Sequence, residues 1–275
     1  MRADQPLIQT STHNGVRTLT LNTPKRLNGW TLPTMDRMKA ELAAAAADAE
    51  VKAVVLTGTD PYYSAGVNLA GTIKLGAPRT LHAMIVEHNE ALFNTFIDFP
   101  KPILVAVNGP TIGAAVTTAT LCDGMIASEK ATFSTPFAKL GVAAEGCSSV
   151  LFERLMGAEA AERMLGAEGW APTGQEACDV GLAQWVAPHD ALLDQAQAIA
   201  EGWVAEGRSR TLRGQATADE LHAVNARESV QVADSFLSAP FLNGQFKFLW
   251  SRKKRGPALM FFALKTTRPV WSLFL

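Results

Sequence analysis

Alternation of apolar and polar positions is clearest near the start of the chain, where LIQTSTHNGVRTLTLN carries two alternating stretches about Asn14-Gly15. That dipeptide accepts the positive φ angles of a tight hairpin turn, so two opening strands are predicted. After Pro33 the spacing changes, with Met35, Met38 and Leu42 at helical intervals leading into an alanine-rich run. A helix with one buried face follows. VKAVVLTG and KPILVAVNG are short β-branched runs ending in Gly, as buried strands do. Strands alternate with helices, which makes the fold class α/β.

Beyond Asp190 only helical patterns occur, in ALLDQAQAIAEGWVAEG, ADELHAVNARESVQVADSFL and PFLNGQFKFLWSRKKRG, with Pro240 and Gly256-Pro257 as stops. The expected organisation is a core over 1–190, a helical region over 191–256 and an extra apolar tail over 257–275. The length of 275 residues suits one large domain with a terminal appendage. No internal repeat of fixed period is visible.

Composition narrows the function. The 25 Lys+Arg against 26 Asp+Glu leave a formal net charge of −1, which gives no electrostatic case for nucleic acid or an acidic membrane surface. A small-molecule partner is expected. Cys122, Cys147 and Cys178 are widely spaced with no CxxC pair, so neither a disulfide framework nor a zinc site is indicated. The start, MRADQPLIQTSTHNG, lacks the pattern of a signal or transit peptide, and nowhere do ~18 apolar residues run together. The expectation is a soluble, cytoplasmic protein with no metal site.

Two glycine turns carry the candidate chemistry, YYSAGVNLAG (Tyr62 to Gly71) and VNGPTIGAAV (Val107 to Val116), each after a strand. When such a turn opens a helix, the first N–H groups lack intrahelical partners and suit an anion or a developing oxyanion. A third stretch, GVAAEGCSS, holds a single acid, Glu145, among small residues.

Taken together and in order, SAGVNL, PKPILVAVNGPTIGAAV, LCDGMIAS, ATFSTPFAKLGV and GQEACDVGLAQWV resemble the crotonase (enoyl-CoA hydratase/isomerase) superfamily from about Ile8 to Arg252. The resemblance implies a spiral of ββα units, a helical C-terminal region that builds a homotrimer or dimer of trimers, and an acyl-CoA thioester as ligand. No separate cofactor is implied, because coenzyme A is part of the substrate. It also implies that the N–H groups of Val67 and Ala114 are the oxyanion donors, with Ala65, Gly66 and Gly113 forming the turns that receive the thioester. Lys25 and Arg26, in PKRLNGW, fall in the loop that lies over the nucleotide in this family.

Hydratases of this superfamily use two glutamates, and the matching positions here are Thr117 and Phe137. Neither a hydroxyl nor a phenyl ring activates water as a carboxylate does. PFAKLGVAAEGCSS instead resembles the segment of the peroxisomal-type delta-3, delta-2-enoyl-CoA isomerases whose Glu is the catalytic base, which implies that role for Glu145. Ala144 stands where that branch often has Pro. FIDFPKP and LHAVNARES resemble the same branch, and Asn89 matches an Asn that related isomerases place against the catalytic Glu. Asp123 matches a family position with an expected structural role, capping backbone donors at a turn.

The expected activity is therefore a shift of a 3-enoyl-CoA double bond to trans-2-enoyl-CoA. Another acyl-CoA chemistry of the superfamily (hydration, dienoyl isomerisation, hydrolysis or decarboxylation) and a non-catalytic acyl-CoA-binding protein stay open. The family allows a peroxisomal placement, but the chain does not finish in a Ser-Lys-Leu type of address. Trp271 and Phe274 in the apolar tail are expected to pack on a neighbouring subunit.

Overall fold

The computed structural model describes residues 6–68 and 77–274. Leu69 to Gly71 of the first glycine motif, the Phe274 side chain and Leu275 fall outside the described residues.

The opening strands β1 (Ile8–His13) and β2 (Val16–Leu21) form the predicted antiparallel hairpin. Asn14 at φ 48° and Gly15 at φ 79° supply its turn, the paired positive angles that match strand twist. The predicted helix is α1 (Leu32–Ala47), with Met35, Met38, Leu42 and Ala45 buried. The two β-branched runs are β3 (Ala53–Gly58) and β4 (Ile103–Val107), buried at every position. With β6 (Gly124–Ser128) and β8 (Trp185–Ala187) they complete a six-stranded sheet in the order β1-β2-β3-β4-β6-β8, parallel from β2 onward. A second, two-stranded parallel sheet pairs β5 (Thr111–Ile112) with β7 (Phe133–Ser134).

Strand periodicity divides the core into two layers. Val54, Leu56, Ile103, Val105 and Val107 point into the main cluster, together with Trp30, Phe93, Phe133 and Phe152. Their neighbours Ala53, Val55, Leu104 and Ala106 face the other way, onto Leu192, Ala196, Ala200 and Trp203. Side chains one residue apart lie on opposite faces of a strand, so such a sheet must be covered on both. The helix Leu192–Ala205 provides that cover. The first core thus continues past Asp190, beyond the expected boundary.

Asp123 has the expected structural role. Its carboxylate accepts from Ile103 N at 2.8 Å and Thr211 N at 2.6 Å, and pairs with Arg210 Nη1 at 2.6 Å. Arg210 also donates to the carbonyls of Phe96, Phe99 and Leu121. One buried ion pair ties the strand ends to the chain that leads into the C-terminal helices.

Those helices are Ala218–Phe236, Ala239–Ser251 and Arg255–Trp271. The last one crosses the expected 256/257 boundary and folds back on its own chain. Phe261, Ala258 and Leu264 bury against Phe241, Leu242, Leu249, Leu81 and Ile85. The stretch expected to pack on a neighbouring subunit therefore closes a second core within one chain. Trp271 is half-buried and its Nε1 donates to Leu264 O at 3.0 Å. The periodicity of an isolated tail does not reveal which apolar face will meet it.

Phe261→Ala should destabilise the chain by about 3–5 kcal/mol, the usual cost of truncating a buried aromatic. Urea unfolding measures it. A loss below 1 kcal/mol would mean that the last helix is not part of the cooperative fold.

Candidate active site

The site begins where two turns meet. Gly66 has φ 74° and Gly113 φ 60°, angles that favour glycine. A Cβ on Gly66 would collide with the Ile112 carbonyl and stand 3.9 Å from Ala114 N. Glycine is thus required there by close approach as well as by conformation.

Each turn is fixed from outside. Trp30 N donates to Gly66 O at 2.8 Å, Ala65 N to Leu27 O at 2.9 Å, and Gly66 N to Ser64 Oγ at 3.0 Å. On the other side, Ile112 N donates to Ser64 O at 3.0 Å and Gly113 N to Ser134 O at 2.8 Å. Among the described residues the N–H groups of Val67 and Ala114 have no protein acceptor, although Gly66, Asn68 and Gly113 beside them each donate to one. Ala114 is the first residue of the helix Ala114–Thr120. Two free donors on adjoining turns are what an oxyanion hole needs.

Both donors border one cavity of about 130 Å³. Ala65, Gly66 and Val67 form one wall, and Ile112, Gly113 and Ala114 the next. Pro136, Phe137, Leu140, Val142 and Phe236 close the rest, leaving Glu145 as the only carboxylate among the described lining residues. Glu145 is 8% exposed. Burial, with a smaller contribution from the negative charge of Glu228, pushes its carboxyl up to about 8. Removing water from a carboxylate disfavours its charged form, and a second carboxylate adds to that effect.

The fold brings Glu145, Val67, Ala114, Ala65, Gly66 and Gly113 together around this cavity. Thr117 is buried with its hydroxyl directed to Ala114 O, and Phe137 is an apolar wall. Asn89 does not face Glu145 through any hydrogen bond among the described residues; its amide donates to Ser229 Oγ at 3.1 Å. Lys25 and Arg26 are exposed on a short turn, Pro24–Arg26, outside the cavity lining but next to Leu27, which holds Ala65.

Three contributors escaped the sequence reading. Asn28 is buried and donates to both Thr59 O and Tyr62 O, anchoring the loop before Ser64. Phe236 enters the cavity from the distant helix Ala218–Phe236. Glu228, on the same helix, is fully buried beside the Glu145 turn. LHAVNARES places Asn225, Glu228 and Ser229 at helical spacing on an otherwise apolar face, and that spacing was the available signal.

A second polar group has the order of a nucleophilic triad. Ser128 Oγ lies 3.1 Å from His189 Nδ1, and His189 Nε2 lies 3.0 Å from Asp60 Oδ2. Ser128 is wholly buried and its Oγ also accepts from Lys130 N. It presents no nucleophile to a substrate and instead ties the end of β6 to the loop before Leu192.

The chain matches the Enoyl-CoA hydratase/isomerase family over residues 11–237 and belongs to it. It is 33% identical over 260 residues to human Enoyl-CoA delta isomerase 2, across 91% of this chain and 64% of that protein. It is 36% identical over 188 residues to Enoyl-CoA delta isomerase 3, peroxisomal, of Mus musculus, across 68% of this chain and 58% of that protein. The matched region thus spans less than two thirds of either relative. Among solved structures, an enoyl-CoA hydratase/isomerase from Pseudoalteromonas atlantica T6c superposes with a TM-score of 0.75 at 27% identity, over 90% of this chain and 98% of that one. The α/β crotonase fold with a helical C-terminal region is the fold of this chain.

The raised Glu145 carboxyl has a consequence for stability. In the unfolded chain it ionises near 4.5, and in the fold it holds its proton to about 8. Unfolding therefore releases a proton inside that window, and this contribution to stability is lost as pH rises through it. Glu145→Gln should gain stability relative to wild type from about 4.5 to about 8 and level off above. Urea titrations below, within and above the window check this, and a pH-independent difference would show that Glu145 is not desolvated.

Proposed function

We propose that this chain isomerises 3-enoyl-CoA to trans-2-enoyl-CoA, with Glu145 as the single base. The observation that carries the proposal is one desolvated carboxylate in an apolar cavity that also receives two unpaired backbone N–H groups. The isomerase relatives support it. Ionised Glu145 takes a proton from C2, and the electrons of that C–H bond pass into the thioester carbonyl as a dienolate. The N–H groups of Val67 and Ala114 stabilise its oxygen. The dienolate then collapses as Glu145 returns the proton to C4, placing the double bond between C2 and C3. One base serves both carbons because they lie on one face of the extended dienolate.

Proton affinity fits the task, since a base is most effective when its proton affinity lies near working pH. The aimed donors are each typically worth about 2.7–4 kcal/mol in the transition state. Thr117 and Phe137 supply no second carboxylate to activate water, which disfavours hydration. Leu140, Val142 and Phe236 offer an apolar lining to the acyl chain, and the role we propose for the exposed cations Lys25 and Arg26 is attraction of the phosphates of coenzyme A.

Glu145→Gln should keep the fold and acyl-CoA binding but lower isomerase turnover by about 10²–10⁴-fold, the usual share of a positioned base. Conversion of 3-hexenoyl-CoA and 3-dodecenoyl-CoA, followed by absorbance of the 2-enoyl product, measures it. A variant at the wild-type rate, or wild-type protein that forms 3-hydroxyacyl-CoA from 2-enoyl-CoA instead, would overturn the proposal.

The assembly we propose is a homotrimer or dimer of trimers. Phe248, Trp250, Leu259 and Phe262 remain 44–56% exposed on the last two helices, an apolar surface of the kind that associates. Light scattering at micromolar concentration should give a mass of three or six chains. A stable monomer would refute this.

A further inference from the structure

Glu145 leads into an awkward segment of backbone. Gly146 and Cys147 take φ 65° and 63° in succession before the helix Ser148–Leu165 begins. A Cβ at Gly146 would collide with the Phe93 ring and the Thr117 side chain. Cys147 is not glycine, so its left-handed conformation is strained and persists only when its surroundings impose it.

The surroundings that impose it come from the helix Ala218–Phe236. Glu228 Oε2 accepts from Cys147 N at 2.6 Å and Oε1 from Ser149 N at 3.0 Å. Ser148 Oγ donates back to Glu145 O at 2.7 Å, and Cys147 Sγ to Leu221 O at 3.3 Å. Glu228 is fully buried, yet it forms no ion pair among the described residues. It serves as an imported cap for the helix that follows Glu145.

We infer that Glu228 is a positioning residue for the reaction, its carboxylate bridging the Cys147 and Ser149 N–H groups to hold the turn that aims Glu145 between the two oxyanion donors. This rests on the isomerase reading above. A neutral amide satisfies only half of the bridge, because its NH₂ would face a second donor. A buried carboxylate is a costly cap, since its charge is desolvated, but its two oxygens let it accept from both N–H groups at once.

The charge has a second effect on the same base. Glu228 adds to the rise in Glu145 proton affinity that burial causes. Burial likewise raises Glu228, against the opposing pull of its Ser149 and Cys147 hydrogen bonds and of Arg227. The titratable or charged groups facing the pair are thus the Cys147 thiol, held at about 12, and Arg227 on the helix of Glu228. Neither changes state between the ordinary carboxylate range and neutrality.

The test combines turnover with direct titration of Glu145, read by carbon-13 NMR of glutamate-labelled protein with Glu145→Gln to assign the signal. Glu228→Gln should lower kcat about 10²-fold, as a small misplacement of a reacting group does, with KM changed less than about threefold. It should also lower the Glu145 midpoint, since a neighbouring like charge is gone. Glu228→Asp keeps the charge but cannot span both N–H groups, so it should keep the midpoint and lose rate. Should Glu228→Gln fail to fold, the Asp variant decides alone, and wild-type kcat in it overturns the proposal. A Glu228→Gln protein whose loss of rate matches its loss of folded fraction, with an unmoved midpoint, also overturns it. Wild-type protein that shows the raised midpoint but no isomerisation would defeat the isomerase reading, and the positioning role would then stand or fall on the titration shift.

Discussion

Everything at the site depends on how closely the Gly66 turn approaches the Ile112–Gly113 turn. The two come from different strand ends and meet with no room for a side chain between them. That contact directs the Val67 and Ala114 N–H groups toward shared space, and Ser64 bridges both turns, accepting from Ile112 N through its carbonyl and from Gly66 N through its hydroxyl. A backbone donor held in this way needs no reorganisation when charge develops beside it, which is the advantage of a preorganised site over water.

The carboxylate is governed by the opposite requirement. The donors must be rigid and polar, whereas Glu145 must sit where water does not stabilise its charge. Phe137 forms an apolar wall and Thr117 spends its hydroxyl on Ala114 O, so neither brings a second carboxylate here. With a phenyl ring in the wall, desolvation raises the Glu145 proton affinity.

Legibility in the sequence followed the range of the interaction. The hairpin at Asn14-Gly15, the buried strands and the first helix were readable because turn chemistry and periodicity act over a few residues. The cavity residues Gly66, Val67, Gly113, Ala114 and Glu145 were readable only as an ordered set of motifs, since each turn alone is ordinary. What was not readable acts across long separations: the fold of the last helix onto Phe241, the entry of Phe236 into the cavity, and the Glu228 bridge to a turn some eighty residues earlier. Asn89 shows the limit of a matched position, for its amide is spent on Ser229 within a polar seam that continues through Asn225 and Asn94 to His222.

That seam explains why the helix Ala218–Phe236 carries buried polar groups on the face it packs. Asn225, Glu228 and Ser229 are all fully buried, and such groups are tolerated only when each finds a partner. Here the partners lie on the helix Pro78–Ile97 and on the Glu145 turn, so a slip of this helix by one turn would strand all three at once. An apolar face would pack with comparable affinity in several registers. The polar face admits one, and Phe236, at the end of the same helix, is thereby delivered to the cavity wall. Fixing the register and lining the site are consequences of the same three side chains.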